Sequence, residues 1–456
     1  MSAITITDAP VASPLSKKDR ILFLDAARGI ALLGILVMNS MAQGQAFVFY
    51  DKLNLEQPIT GKNFWAWVIE VCVFEGTMRG LFSILFGAGT ILLINRLEKT
   101  RGHIDAADIY YRRILWLLFF GVINAFIFLW PGDILYSYAL CGLFLFPFRK
   151  LSPRALWIGV FLMLAFGTYR ENSNLYEHKE IITKGKYADA LNDQHKKLNI
   201  TQKADTAKWH DFRDKNSSKG MMKAAAENSA KVHGTFPELF VYLRDINVEI
   251  QSLGFYNSWW DMLLFFFIGM ALLKSGYLTG NSPNWQYVLI AILGIGIGLV
   301  INYFHYKLLY HSRFDGVVMA EKMWIDPYQL RRFVQTMGYL SLLILMYKAA
   351  SLRAVLNIFT PVGQMAFTNY LSQSIITSVI FYIMGWWGTF QRYQIYEIVF
   401  CIWIFQIVFS TIWLKYFLFG PFEWLWRSLT YQKAQPFIRK RENIELGSVS
   451  GTAANL

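Results

Sequence analysis

Histidine and cysteine are scarce, at seven and three in 456 residues, and no histidine precedes His103. Cys72, Cys141 and Cys401 each fall inside an apolar stretch with no paired spacing. That pattern argues against a disulfide framework and a thiolate metal site, so all three read as buried packing residues and no metal is expected. Charge is scarce as well. Asp, Glu, Lys and Arg make up 16% of the chain, against about 25% in a soluble domain. There is no Gly-rich phosphate loop and no visible internal repeat, which weakens a repeat-built transporter. Residues 1–16 lack an apolar core ahead of a cleavage site, so the first apolar run reads as an uncleaved signal anchor.

What is abundant is apolar surface: 55% hydrophobic and 17% aromatic residues. A bilayer core asks for about 20 apolar residues per helix. Ten segments approach that pattern, at 21–41, 63–95, 113–130, 134–148, 153–169, 256–274, 286–305, 333–349, 358–384 and 394–418. The expected fold is therefore all-α, a polytopic integral membrane helical bundle of about ten transmembrane helices. The second segment is too long for one straight span, and the break is placed near Gly76 of "FEGTMRG".

Lys and Arg on the side shared by both termini outnumber those in the short loops opposite by more than two to one. By the positive-inside rule both termini are cytoplasmic, in the cytoplasmic (inner) membrane. Much of the net charge of +13 is then orientation signal, and nucleic acid is not an expected partner; the lipid bilayer is. Residues 169–255 are the one sizeable polar region. Apolar residues recur there every three or four positions in "FPELFVYLRDINVEIQSLGF", which predicts a small extracytoplasmic helical insertion with an amphipathic helix on the outer interface. The expected order is a tail over 1–20, an N-terminal transmembrane bundle over 21–168, the insertion over 169–255, a C-terminal transmembrane bundle over 256–431 and a cytoplasmic tail over 432–456. "FGPFEWLWRSLTYQKAQPF" sets aromatic rings beside basic heads, as in a headgroup layer. Residues 442–456 read as disordered.

Charged and amide side chains within spans are costly and tend to face a bundle interior or a water-filled cavity. Asp25 and Arg28 are three apart and share a helix face, where they pair across a cavity or as an interfacial ion pair. Asn39 follows Arg28 by eleven residues, which returns it to within about 20° of that face, roughly 16 Å further along. Glu75 and Arg79 are at pairing distance on a helix, and Asp133 of "WPGDIL" reads either as part of the same polar set or as a helix cap. Asn369 and Gln373 share a face of the ninth segment, lining a substrate path or gluing helices together. Arg112 and Arg113 at the start of the third segment read as donor contacts or as topology charges. The expectation is one passage that joins an inner part (Asp25, Arg28, Arg112, Arg113) to an outer part (Asn39, Glu75, Arg79, Asp133, Asn369, Gln373).

The blocks "LDAARGIALLGILVMN", "FEGTMRGLFSILFGAG", "GDILYSYAL", "GQMAFTNYLSQSII" and "FGPFEWLWRSLTY" resemble, in order, those of the YeiB-like family of bacterial multipass membrane proteins, domain of unknown function 418. That family is in turn similar, through its first spans, to transmembrane acyltransferases such as heparan-alpha-glucosaminide N-acetyltransferase and sugar O-acetyltransferases. The resemblance implies an acetyl-CoA or other acyl-CoA donor, met by Arg28 with Asp25, Arg112 and Arg113. It also implies transfer to an envelope glycan or lipid near Asn39, Glu75, Arg79 and Asp133. Many sugar O-acetyltransferases of that group place a catalytic His where this chain has Asn39, so the usual base is missing. His305 and His311 are the outer histidines that adjoin a span. A transporter or flippase-like protein for a small molecule or envelope precursor is the alternative reading.

Overall fold

The computed structural model describes residues 22–439. The expected N-terminal tail and the final residues of the C-terminal tail lie outside the described residues.

Every apolar segment identified above is helical. The longer helices are α1 (Leu22–Gly44), α2 (Lys62–Ile69), α3 (Thr77–Arg101), α4 (His103–Phe126), α5 (Ile134–Leu143), α6 (Pro153–Asp193), α7 (Ile200–Asn216), α8 (Ser218–Val232), α9 (Phe236–Glu249), α10 (Trp259–Lys274), α11 (Asn284–His311), α12 (Tyr328–Lys348), α13 (Ala366–Ser378), α14 (Arg392–Tyr416) and α15 (Pro421–Tyr431). Among the described residues, five helical stretches are long and apolar enough to cross a membrane, or up to seven if each of two bent pairs crosses as one. Others fall short of that standard for visible reasons. Helix α5 has only 10 residues, and α6 continues past its apolar start into a polar extension, 41 residues in all, or roughly 60 Å.

Burial sorts the helices. In α1, 72% of the apolar window is buried inside the protein, against 28% in α11 and in α14. Helix α1 is thus a central post. The outer faces of α11 and α14 expose Ile292, Leu293, Ile297, Ile404, Phe405 and Val408, an apolar exterior that water would penalise and a bilayer accepts. Cys401 is exposed on α14, so the expectation of burial holds for Cys141 and not for Cys401. A cysteine in a lipid-facing helix needs no internal packing.

Two backbone features shape the interior. A β-carbon on Gly363 would sit 1.8 Å from the Asp25 carbonyl oxygen, and one on Gly29 would sit 2.2 Å from that of Phe359. Only glycine lets the Thr360–Gln364 turn touch α1 backbone to backbone. The second feature is the expected break. A π-turn over Glu70–Phe74 ends in Glu75 with ψ 120, and Gly76 follows at φ 69. A β-carbon there would meet Arg332 Nε at 2.5 Å.

Residues 169–255 are largely helical, from the end of α6 through α7, α8 and α9. Leu239, Leu243, Asn247 and Gln251 form the buried stripe of α9 and its continuation. Asn247 Nδ2 donates to the Ala125 carbonyl at 2.8 Å, and Gln251 Nε2 to that of Asp133 at 3.1 Å. The amphipathic helix therefore docks on the ends of α4 and α5.

Candidate functional site

At the N-terminal end of α1, Asp25 accepts from Arg28 Nη1 at 2.9 Å, the expected pair. Both side chains line a cavity of about 310 Å³, within the range of small-molecule sites. Four arginines face it: Arg28, Arg96, Arg113 and Arg427. The carboxylates lining it are Asp25 and Glu423. Glu423 is turned to the backbone, accepting from the amides of Phe367 at 2.7 Å and Thr368 at 3.0 Å and from the Thr368 hydroxyl. Burial raises its carboxyl above the ordinary range. Helix α15 closes this end, with the Arg113 guanidinium 3.7 Å over the Trp426 ring.

Away from the arginines the lining turns apolar and aromatic, through Leu85, Phe86, Phe82 and Leu117 to Tyr138 and Tyr370. Tyr138 shares a 2.6 Å hydrogen bond with Ser83, and Ser83 Oγ donates to the Arg79 carbonyl at 2.8 Å. The Tyr370 hydroxyl donates to Asp133 at 3.3 Å. Asp133 caps α5 by accepting from the Tyr136 amide at 2.8 Å and also takes the Asn124 amide at 2.8 Å.

Beyond Tyr138 lies a second charged region with little water access. Glu75 is ion-paired with Arg331 and accepts from the Tyr328 hydroxyl at 2.8 Å. Asp261 binds Arg332 at 2.5 Å, Arg79 at 3.3 Å and Gln329 at 3.1 Å. Arg331 also donates to Asn302 at 2.7 Å. A further buried pair joins Glu70 to Arg392, whose Nη2 reaches the carbonyls of Phe49 and Lys52 at 2.6 Å each.

The expected site residues are thus divided. Asp25, Arg28 and Arg113 share the cavity. Arg112, the next residue round the helix, points elsewhere: it pairs with Asp108 and donates to the Thr430 carbonyl at 3.1 Å. Glu75 and Arg79 do not pair with each other, because the break at Gly76 separates them and each finds a distant partner. Asn39 is half-buried and is not among the cavity-lining residues. Asn369 and Gln373 bridge α13 to α14, Asn369 to Ser410 at 2.9 Å and Gln373 to Gln406 at 2.9 Å, outside the cavity lining. One shared passage is replaced by a cavity and a charge network with the Tyr138–Ser83 layer between them.

Sequence reasoning missed Arg331, Arg332, Asp261, Glu70 and Arg392. Arg331, Arg332 and Arg392 fall in the short stretches between apolar segments, where they read as loop charges. The signal was present in "YQLRRFVQ" and "WWDML", where charges of opposite sign begin two apolar segments.

The description "Protein of unknown function (DUF418)" matches residues 272–433. The chain is 32% identical over 437 residues to "Uncharacterized protein YxaH" of Bacillus subtilis (strain 168), covering 94% of this chain and 98% of that one. It is 27% identical over 438 residues to "Uncharacterized protein YeiB" of Escherichia coli (strain K12), covering 92% and 99%. No solved structure matches the chain. With that identity maintained along nearly the whole length of both chains, the protein belongs to the YeiB-like family described as DUF418.

Proposed function

We propose that this is a ten-span protein of the cytoplasmic membrane, with both termini inside, that binds an acyl-CoA-type donor in the arginine-lined cavity. It passes the acyl group to an envelope glycan or lipid. One observation carries the reading: a cavity with four arginines at one end and an apolar, aromatic wall at the other. Arginine matches phosphate oxygens with paired N–H donors, and the apolar wall suits a pantetheine arm and acyl chain.

In the reaction the donor C–S bond breaks, the acceptor oxygen or nitrogen bonds to the acyl carbon, and the acceptor proton ends on the CoA sulfur. Such a transfer needs a proton acceptor and oxyanion donors. Asp133, one hydrogen bond behind the Tyr370 wall, is the carboxylate we assign to the proton. The Tyr138 hydroxyl, which lines the cavity, is the donor we assign to the oxyanion, its proton turning from Ser83 to the acyl oxygen. Asn39 and Glu75 receive no contact with the donor in this reading.

A transporter or flippase reading draws on a different observation: no histidine is among the cavity-lining residues. It predicts uptake or efflux by reconstituted vesicles with the solute unchanged.

Calorimetry of the purified, folded protein with acetyl-CoA tests the main proposal. Saturable heat is expected. Arg28→Ala should weaken binding by about tenfold or more, the loss of one charge-assisted contact. No heat from well-folded parent protein rejects the donor reading.

A further inference from the structure

We infer that the Arg79–Asp261–Arg332 cluster is a second, separate binding site, for an anionic oxygen group, carboxylate or phosphate, at the end of the bundle that carries α7–α9. The inference goes beyond the donor reading and stands without it.

Charge counting comes first. Within this ion-paired set three guanidiniums, of Arg79, Arg331 and Arg332, face two carboxylates, of Glu75 and Asp261. Helix ends add to the imbalance. Arg79 is in the first turn of α3, Asp261 in the first turn of α10 and Arg332 near the start of α12. These beginnings are in direct contact: Arg332 Nε donates to the Gly76 carbonyl at 3.3 Å and Arg332 Nη1 to Asp261. The Arg332 side chain thus ties the first turns of α3 and α10 together, and the partial positive charge of those helix starts adds to the imbalance. With Arg331 paired to Glu75 and Arg332 to Asp261, the excess guanidinium is that of Arg79, the partly exposed one, which an anion arriving from outside can reach.

Unused donors are the second observation. Arg79 Nε and Arg332 Nη2 are buried and have no hydrogen-bond partner among the described residues. The side chain of Arg332 is 1% exposed. A buried guanidinium donor left unmade is costly and uncommon, and a bound oxyanion would satisfy it.

Access is the third. Arg79 has 37% of its side chain exposed, whereas Arg331, Arg332, Glu75 and Asp261 are nearly sealed. Arg79 continues the α3 stripe of Phe82, Phe86, Gly89 and Leu93 that lines the arginine cavity, three residues before Phe82 and outside the lining itself. The cluster therefore presents one open guanidinium backed by a sealed one. The occupant chemistry is a single oxyanion, on a soluble molecule or on a lipid headgroup.

The test is calorimetry with inorganic phosphate on the detergent-purified full chain. An Arg28→Gln background weakens any phosphate binding in the other cavity. Saturable binding is expected, and adding Arg79→Gln should reduce it about tenfold. Unchanged affinity on adding Arg79→Gln overturns the site, as does no saturable binding in the Arg28→Gln protein. If Arg79→Gln does not fold, Asp261→Asn replaces it: removing the competing carboxylate should make phosphate raise the unfolding temperature more than in the parent. An equal or smaller rise overturns the site. Nanodiscs separate the sources. Loss of phosphate binding in phosphatidylglycerol but not phosphatidylcholine assigns the site to a lipid headgroup, and retention in both assigns it to a soluble anion; each supports the site.

Discussion

Arg28 and Arg331 are both arginines paired to a carboxylate inside an apolar bundle, yet the Arg28 side chain is 25% exposed beside a cavity and that of Arg331 is 3% exposed among packed polar groups. At the Arg28 end, the Asp25–Arg28 pair borders open volume, four arginines line that volume, and Glu423 is turned to backbone amides. At the Arg331 end most polar atoms are matched within the protein; Arg79 Nε, Arg332 Nη2, Thr336 Oγ1 and Glu70 Oε1 are the buried atoms there without a hydrogen-bond partner among the described residues. Where the ion pairs are dry and closed they fix how the helices meet. Where a pair borders a cavity, as Asp25–Arg28 does, its side chains keep partial exposure.

The contrast is broken most severely by Arg331→Ala. It strands Glu75 in a dry interior, and the expected loss is about 3–5 kcal/mol of stability, read as a large fall in unfolding temperature or failure to purify as a single species. Arg28→Ala serves as the control and should cost less than about 1 kcal/mol, because Asp25 keeps access to water. Comparable losses from the two would dissolve the distinction.

A smaller effect comes from Glu171, on the polar extension of α6 and hydrogen-bonded to the Gln329 amide at 3.1 Å. Burial, helped by nearby Asp326, pushes its carboxyl from 4.5 up to about 8. The folded protein then keeps a proton that the unfolded chain has released. Stability contributed by this group is full below pH 4.5 and falls as pH rises toward about 8. Glu171→Gln should flatten that slope in unfolding temperature against pH; an unchanged slope would show that Glu171 does not set it.

The smallest expected effect sharpens the cavity's boundary. Arg112→Gln should change acetyl-CoA affinity by less than about twofold, because Arg112 engages Asp108 and the Thr430 carbonyl. A loss as large as that from Arg28→Ala would move the boundary to include it.

How much was legible follows from sequence separation. The helical class follows from apolar run length, and the Asp25–Arg28 pair is local, three residues apart; the central place of α1 does not, since α11 is longer and more apolar yet largely exposed. The break near Gly76 was visible as well. Its consequence was not, because a break that ends one helix cancels the spacing that would have paired Glu75 with Arg79. The partners that replaced them are 256 residues apart for Arg331 and Glu75, and 71 for Arg332 and Asp261. No periodicity carries pairing across such distances. The same distance hides three buried arginines: Arg331, Arg332 and Arg392 read as loop charges until a tertiary partner buries each.

The most direct test of the account is an experimental structure of the protein with CoA bound. The account predicts the nucleotide phosphates against Arg28 and Arg113, the pantetheine arm along Phe82 and Phe86, and the sulfur at the Tyr138 end. An empty arginine cavity, with CoA absent at saturating concentration or seated elsewhere, would contradict it.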